Sequence, residues 1–369
     1  MDDKVIREIR IDPIVPTQSV LISTVRGKRP RQDESPLSRD VRNHVKTCPF
    51  CRGNEHHTPP ASFQVPAGKE WNIRIVENLY PILDDDPLIP GIPPGMQQAI
   101  EGYGYHEVII DHPNHGIGIR QMSEQHLTLL LGVYRDRMHT LYKSDLRIRY
   151  VLVFKNFGKA AGGSMPHSHS QIIAMPIVPH NVQNEVLCSQ AFYQKTGTCI
   201  FCTLVDEALS LETTTYNRES GEIRQNYKTV KYVIEQGKKF IAIKPFASRY
   251  EWEVHILPIK HQSNFLEINP EDLDDLARVL RRTMTRLKAV VGEVQYNYFI
   301  HSVPHVKNSS EFAHSYHWHL EICPRTSIPS GFELGSGLFV NTISPENAAS
   351  KLRQAILREG SYFQDKKNL

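Results

Sequence analysis

The chain has 369 residues, which is enough for about two domains. Hydrophobic residues make up 40% and charged residues 22%, a composition that excludes disordered and fibrous proteins. The net charge of +3 and the dispersed basic residues argue against a nucleic-acid or membrane partner. The N-terminus is polar and no apolar run reaches the length of a membrane span, so we expect a cytoplasmic protein.

The first half of the chain contains a series of landmarks that ends in paired histidines. In chain order these are a C-x-x-C pair, a strand, a histidine, a helix, a second strand and an H-x-H segment: Cys48 and Cys51, 108–110, His115, 124–142, 148–154, and His167 with His169. Alternation along an extended segment predicts that both histidines of the pair share one face.

The second half repeats the series in the same order: Cys199 and Cys202, 254–257, His261, 270–291, 296–300, and His317 with His319. Corresponding landmarks are 151, 146 and 150 positions apart for the cysteine pairs, the single histidines and the H-x-H segments. Three landmarks at near-equal offsets predict a duplicated α/β unit. We therefore divide the chain into 1–185 and 186–369, with the boundary inside 179–195.

Each half offers two thiols and a compact set of imidazoles, which together suit a closed tetrahedral zinc site. The predicted ligands are Cys48, Cys51, His115 and His167 in the first half, and Cys199, Cys202, His261 and His317 in the second. Neither set has an obvious open position, so we expect two structural Zn²⁺ ions per chain. Redox cysteine pairs and a single four-cysteine ribbon are alternatives, and four further histidines compete as ligands: His106, His112, His255 and His301.

A loop of small residues, 156–164, lies directly before the first H-x-H segment. Backbone N–H groups of such a loop can bind phosphate, and we assign this role to Gly162, Gly163 and Ser164. If His167 binds metal, His169 is free to act as a nucleophile. Gln171, on the same strand face, can then donate its amide to a phosphoryl oxygen.

The second half lacks a corresponding small-residue loop and glutamine. The segment 302–315 contains no glycine, and Glu321 stands where the first half has glutamine. A carboxylate facing a phosphate is repulsive unless it is protonated or paired. We therefore predict that the first half is catalytic, while His319 either lines the site or packs, with packing preferred.

The run Phe154-x-Asn156-x-Gly158-x-x-x-Gly162, followed by His167-x-His169-x-Gln171, resembles the signature of the galactose-1-phosphate uridylyltransferase family. Further similarity covers nearly the whole chain, at 26–30, 48–51, 77–81 and 331–335. That family belongs to the histidine-triad superfamily. The resemblance therefore implies an α+β fold of two histidine-triad-like halves, each a mostly antiparallel sheet with packed helices, and a homodimer whose sites share residues between subunits.

The resemblance also implies residue roles. His169 is the nucleophile, and the phosphate-binding residues are Asn156, Gly162, Gly163, Ser164 and Gln171. Nucleotide contacts are implied for Arg26, Arg29 and Asn78. Lys155 replaces the family's usual glutamate and Ser168 its usual proline. Both changes resemble a side branch, the plant ADP-glucose phosphorylases, to which the adenylylsulfate:phosphate adenylyltransferases are also related.

We predict nucleotidyl transfer through a covalent adduct on His169. The substrates are a nucleotide sugar, or another nucleotide anhydride, and a phosphate-bearing acceptor. Our first choice is uridylyl exchange between UDP-glucose and galactose 1-phosphate. The alternatives are adenylyl transfer to inorganic phosphate from ADP-glucose or adenylyl sulfate, a nucleotide hydrolase, and a zinc-stabilised binding module without catalysis.

Overall fold

The computed structural model describes residues 5–28, 40–88, 91, 95–210, 212–216, 223–228, 231–306 and 309–357. Its strands are β1 Arg7–Ile11, β2 Ser19–Ser23, β3 Ala61–Val65, β4 Ile73–Glu77, β5 Tyr105–Ile110, β6 Tyr150–Phe157, β7 His169–Met175, β8 Glu212–Tyr216, β9 Ile223–Lys228, β10 Val233–Gln236, β11 Phe240–Ile243, β12 Val254–Pro258, β13 Tyr296–His301, β14 His319–Pro324 and β15 Phe339–Asn341. Its helices are α1 Glu124–Ser144, α2 His180–Thr196, α3 Ile200–Ser210, α4 Pro270–Val291, α5 Ser309–Phe312, α6 Gly331–Ser336 and α7 Pro345–Gln354.

A ten-stranded sheet forms the centre of the molecule, in the order β10-β11-β12-β14-β13-β6-β7-β5-β4-β3. Neighbouring strands pair antiparallel throughout this sheet. Counted outward from the central β6–β13 pair, one side of the sheet runs β6-β7-β5-β4-β3 and the other runs β13-β14-β12-β11-β10. Strands at corresponding places in the chain therefore occupy corresponding places in the sheet. The duplicated, mostly antiparallel α+β architecture predicted from the sequence is therefore confirmed.

The two halves share both a sheet and a core. Helices α1 and α4 pack against each other, and their buried side chains join one apolar cluster with residues from both halves of the sheet. A second cluster lies between helices α2 and α3 and strands that include β6, β11 and β12. The predicted boundary between residues 185 and 186 falls inside α2. Both halves contribute strands to one continuous sheet, and the division into 1–185 and 186–369 stays a prediction.

The predicted helices and strands around the histidines agree with the structure to within a few residues. Helix α1 begins after Ser123, whose hydroxyl accepts the N–H of His126, and α4 begins with Pro270. Strand β7 begins at His169, so His167 lies in the segment that enters the strand. None of the helices in the described part of the chain is both long and apolar enough to cross a membrane.

Candidate active site and metal-ligand clusters

The first predicted set of cysteines and histidines comes together in the structure. The candidate ligand atoms lie within 4.8 Å of one another and belong to four buried side chains: Cys48, Cys51, His115 and His167. His167 Nδ1 is 3.6 Å from each of the two sulfur atoms, and His115 Nδ1 is 3.5 Å from that of Cys51. Two thiols and two imidazole nitrogens that converge in this way can hold a metal ion.

The outer contacts of His167 turn its Nδ1 atom toward the thiols. Its Nε2–H group donates to the main-chain oxygen of His112 at 2.7 Å, so Nδ1 carries the lone pair. Burial lowers the pKa of His167 to about 4, which favours the neutral ring that a metal needs. A carbonyl behind the imidazole is the usual support of a metal-ligating histidine. His112, a competing ligand in the sequence analysis, thus contributes its carbonyl rather than its ring.

The second predicted set also converges, beside strands β12 and β14. Its ligand atoms again lie within 4.8 Å of one another: Cys199, Cys202, His261 and His317. The sulfur of Cys202 is 3.3 Å from His261 Nδ1 and 3.6 Å from His317 Nδ1. His261 Nε2–H donates to the carbonyl of Ala313 at 2.7 Å, which fixes Nδ1 as the ligand atom in this half too. His261 is exposed, so this cluster lies closer to solvent than the first.

His169 is held in the tautomer that a nucleophile requires. The ring is only 6% exposed, and its Nδ1–H donates to the main-chain oxygen of His167 at 2.8 Å. The lone pair therefore lies on Nε2. Burial, with the nearby charge of Lys155, lowers the pKa of His169, so the ring is neutral near pH 7. Phe50, between the two cysteines of the first cluster, lies 5.2 Å from the His169 ring and forms one wall of its setting.

Gln171 lies on β7 and forms a polar group with residues of the neighbouring segment. Its Oε1 atom is 2.9 Å from His106 Nε2, and Asn78 Nδ2 is 3.1 Å from the same nitrogen. The Asn78 side-chain oxygen accepts the N–H of Tyr80 at 2.9 Å. The structure therefore places His106, a competing metal ligand in the sequence analysis, beside Gln171 and Asn78 instead.

The small-residue loop after β6 is closed by its own backbone. The N–H of Gly162 donates to the carbonyl of Lys159, and that of Gly163 to the carbonyl of Gly158, both at 2.9 Å. These two amides are thus engaged within the loop. Their binding of a phosphate stays a prediction. A Cβ on Gly163 would lie 2.9 Å from the Asn156 carbonyl, so this glycine is needed for close packing.

Asn156 is supported from the other half of the molecule. Asn297, on β13, donates from Nδ2 to the Asn156 Oδ1 atom at 2.7 Å and to the Ala161 carbonyl at 2.8 Å. Arg325 in turn donates to Asn297 Oδ1 at 2.6 Å. Because its oxygen is occupied, Asn156 has its amide hydrogens left for another acceptor. The second half therefore contributes to the site by holding this loop.

The two departures from the family signature meet in one buried network. The Lys155 ammonium donates to Asp111 Oδ2 at 2.6 Å, to Ser168 Oγ at 2.9 Å and to the carbonyl of His169 at 2.7 Å. Ser168 also donates to Asp111 at 3.0 Å. Lys155 and Asp111 are 1% and 0% exposed as side chains, so the pair is buried, and Lys155 contacts the first residue of β7.

The second half reproduces the setting of His169 around His319. His319 Nδ1 lies 3.1 Å from the carbonyl of His317, and the Phe201 ring lies 5.1 Å from His319. His319 Nε2, however, lies 3.3 Å from a carboxylate oxygen of Glu321 and 3.9 Å from Glu185. Two carboxylates thus face the nitrogen that corresponds to the candidate nucleophile, and they would repel a phosphate.

These carboxylates belong to a buried charged cluster that the sequence analysis did not foresee. Glu185, His301, His319 and Glu321 bring their polar atoms within 4.8 Å, which is also compatible with a metal ion. His301 Nδ1 lies 3.0 Å from Glu185, whose charge raises the pKa of His301 against the opposing effect of burial. Glu321 pairs with Arg249, which also binds Glu253 at 2.9 Å. His319 therefore belongs to an ionic network rather than to simple apolar packing.

The remaining predicted contacts lie elsewhere or stay untested. Arg26 lines a cavity with residues of β1, β2 and Phe332. Ser164 is exposed at the end of the loop. Arg29 lies outside the described residues. The binding roles assigned to these three side chains stay predictions.

Sequence reasoning missed the partners that act across the sheet. Asp111 is 44 positions from Lys155, Asn297 is 141 positions from Asn156, and no local pattern links them. One signal was present. Two unusual residues, Lys155 and Ser168, point to a third polar group, because a buried ammonium needs a charged partner.

Comparison with known proteins agrees with the geometry. Residues 92–179 match the family model described as galactose-1-phosphate uridyl transferase, N-terminal domain. An ADP-glucose phosphorylase of Arabidopsis thaliana is 32% identical over 95% of this chain and 93% of its own length. A galactose-1-phosphate uridylyltransferase of Thermotoga maritima is 27% identical over 94% of this chain and 98% of its own.

Solved structures give the same result. A crystal structure of an Arabidopsis thaliana ADP-glucose phosphorylase with bound ADP-glucose superposes with a TM-score of 0.78 at 29% identity, covering 95% of this chain and 99% of that one. A uridylyltransferase structure gives 0.69 at 26% identity, covering 95% and 98%. These matches span both halves and confirm the resemblance seen in the sequence. The chain belongs to the galactose-1-phosphate uridylyltransferase family and is a nucleotidyltransferase.

Proposed function

We propose that the protein transfers a nucleoside monophosphate through a covalent adduct on His169. The observation that carries this proposal is the tautomer of the buried ring: Nδ1–H is bound to the His167 carbonyl, and Nε2 holds the lone pair. A neutral imidazole in this state can attack phosphorus, and the carbonyl stabilises the imidazolium that develops. This is the arrangement that a nucleotidyl-histidine mechanism requires.

For the substrates we propose adenylyl transfer from ADP-glucose to inorganic phosphate. His169 Nε2 attacks the α-phosphorus, and glucose 1-phosphate leaves with the electrons of the broken P–O bond. Inorganic phosphate then attacks the adenylyl-histidine, which gives ADP and restores the neutral ring. This donor is supported by the 32% identical Arabidopsis thaliana relative and by the similar structure that holds ADP-glucose.

Asn156 and Gln171 are the proposed donors to the phosphoryl oxygens. In both side chains the carboxamide oxygen already has a partner, so the amide hydrogens are available for an anion. A donor aimed at charge that develops in the transition state contributes about 3 kcal/mol. Gly162, Gly163 and Ser164 would shape the loop around the phosphates, while Asn78, Arg26 and Arg29 would contact the nucleotide.

Uridylyl exchange between UDP-glucose and galactose 1-phosphate is the second candidate. The family model and the Thermotoga maritima relative, which is matched over 98% of its length, favour it. The same residues would perform the same two steps with a different base and acceptor. The choice between the two therefore rests on the donor that labels the protein.

We further propose that each Cys₂His₂ cluster holds Zn²⁺. The donor sets fit this ion, since two thiols and two imidazole Nδ1 atoms converge in each cluster and offer four ligands. Bound zinc would supply a structural cross-link between the cysteine loop and the histidine segments.

We also propose a cytoplasmic homodimer, as the family resemblance and the composition predict; sedimentation analysis of the purified chain tests the oligomeric state.

Adduct trapping tests the proposed function. The protein is incubated with ADP-glucose or UDP-glucose labelled at the α-phosphate, quenched in base, and counted for protein-bound label. We expect label from ADP-glucose in the wild type and none in His169→Gly. The matched control is His319→Gly, which removes the corresponding ring of the second half and should keep the label if circular dichroism shows a folded protein.

Each outcome decides between the candidates. Label from UDP-glucose alone would show that the protein transfers a uridylyl rather than an adenylyl group. Free AMP released without added phosphate would identify a hydrolase. A labelled His169→Gly protein, or no label from either donor with an intact fold, would overturn the assignment of His169.

A further inference from the structure

The carboxamide of Gln171 can present either its oxygen or its nitrogen to a bound phosphate. Only the nitrogen end carries hydrogens, so the two orientations have opposite effects on an anion. In the structure the oxygen is 2.9 Å from His106 Nε2. His106 lies on β5, which pairs with β7, and its ring is 8% exposed. The orientation of Gln171 therefore depends on which His106 nitrogen carries the proton.

The contacts of His106 fix that proton. The main-chain N–H of Ile82 donates to Nδ1 at 3.2 Å, so Nδ1 must hold a lone pair. Burial lowers the pKa of His106, which keeps the ring neutral and leaves its single proton on Nε2. Nε2–H can then donate only to an acceptor. Asn78 Nδ2, 3.1 Å away, is not one, whereas the Gln171 oxygen is.

We propose that His106 is a positioning residue for nucleotidyl transfer: its Nε2–H binds the Gln171 oxygen and directs the Gln171 amide hydrogens toward the phosphoryl group. This inference rests on the proposed function, because the phosphoryl group of the nucleotide substrate is the acceptor for the Gln171 amide hydrogens. Without the His106 donor the carboxamide is free to rotate. In the rotated state its oxygen would face the anion and raise the barrier to attack by His169.

A purely structural role for His106 predicts a different pattern. A ring that only fills space would be replaced by phenylalanine with little effect, and any loss would be independent of Gln171. A positioning ring acts through Gln171 alone. Its removal should therefore have no effect once Gln171 is gone.

A kinetic cycle separates these possibilities. Single-turnover rates of adduct formation are measured for the wild type, His106→Phe, Gln171→Ala and the double variant, with His106→Gln as the conservative variant that keeps an N–H donor. We expect His106→Phe to slow adduct formation by about 10- to 100-fold, which is less than the roughly 100- to 1,000-fold loss on removing a transition-state donor itself, with a smaller change in donor KM. The double variant should be no slower than Gln171→Ala, and His106→Gln should recover most of the rate.

A second measurement does not depend on catalysis. In protein labelled with ¹⁵N-glutamine, the Gln171 side-chain amide signals are identified by their loss in Gln171→Ala. His106→Phe should shift these signals, and His106→Gln should leave them near their wild-type positions.

The two measurements keep the failures apart. If the wild type forms no adduct, the proposed function fails, and the amide signals alone decide whether His106 orients Gln171. If adduct forms, rate losses that multiply in the double variant, or amide signals unmoved by His106→Phe, would show that His106 does not act through Gln171.

Discussion

At the scale of single residues, the most unusual feature is a buried lysine in contact with the main chain of His169. Lys155 has three oxygen partners, and one of them is the carboxylate of Asp111. Burying an ammonium is costly unless its charge is matched. The family's usual glutamate at this position could not bind Asp111, so Lys155, Ser168 and Asp111 form one interdependent set.

Lys155→Met should strongly destabilise the protein. The substitution leaves the Asp111 carboxylate buried without its counter-charge, which typically costs about 3–5 kcal/mol. Unfolding in urea, followed by circular dichroism, should show the loss as a lower midpoint. Lys143→Met, at the exposed end of α1, is the control and should leave the midpoint unchanged.

A second variant checks the cause. Adding Asp111→Leu to Lys155→Met removes the unpaired charge and should recover much of the lost stability. If the double variant is less stable than Lys155→Met alone, the cost comes from lost packing or from the freed His169 carbonyl rather than from the charge.

At the scale of secondary-structure elements, β13 of the second half supports the loop that follows β6. Asn297 on β13 joins the Asn156 side chain and the Ala161 carbonyl, and Arg325 holds Asn297 from behind. The loop itself is tight, with Gly158 and Gly162 at positive φ. A strand from the second half thus fixes the shape of a loop in the first half.

Asn297→Leu should slow adduct formation while the metal content stays at its wild-type value. Leucine keeps similar bulk but cannot donate to Asn156, whose carboxamide then loses its fixed orientation, and we expect a loss of about 10-fold or more. The single-turnover rate and zinc content are measured together. Gln354→Leu, at the exposed end of α7, is the matched control. If Asn297→Leu and Gln354→Leu form adduct at the same rate, the role of β13 is contradicted.

The elements show what the sequence can and cannot reveal. Helices α1 and α4 and the histidine segments were predictable, because caps, periodicity and repeated landmarks are local signals. The β6–β13 pair was not, since antiparallel pairing between distant strands leaves no mark within either strand. The repeated landmarks indicated which cysteines and histidines come together. No comparable repeat linked His106 to Gln171, because the two residues meet only through the pairing of β5 with β7. The engagement of the Gly162 and Gly163 amides depended on the closed loop conformation, which spacing does not specify.

At the scale of the whole molecule, the two Cys₂His₂ clusters lie in corresponding places but have different neighbours. The first includes His167, whose carbonyl binds His169. The second includes His317, whose carbonyl binds His319 in a setting blocked by carboxylates. A metal ion in the first cluster would therefore fix the carbonyl that holds the proposed nucleophile, whereas one in the second cluster would affect only stability.

Loss of each metal should accordingly have a different result. The double substitutions Cys48→Ser with Cys51→Ser, and Cys199→Ser with Cys202→Ser, should each reduce zinc from two ions per chain to one, as measured by mass spectrometry. Both should lower the Tm, but only the first should strongly reduce adduct formation, because His169 loses its fixed carbonyl. Equal losses of adduct in the two proteins would contradict this division.

The junction of the sheet also has a consequence for the history of the molecule. Strands β6 and β13 hold the same place in their halves and run antiparallel, with Phe154 opposite Phe299. Two identical chains that meet about a two-fold axis make the same kind of contact, in which each surface pairs with its own copy. The chain thus has the form of an ancestral pair of subunits fused into one polypeptide. Fusion would let one copy exchange its phosphate-binding residues for carboxylates while it continued to support the other.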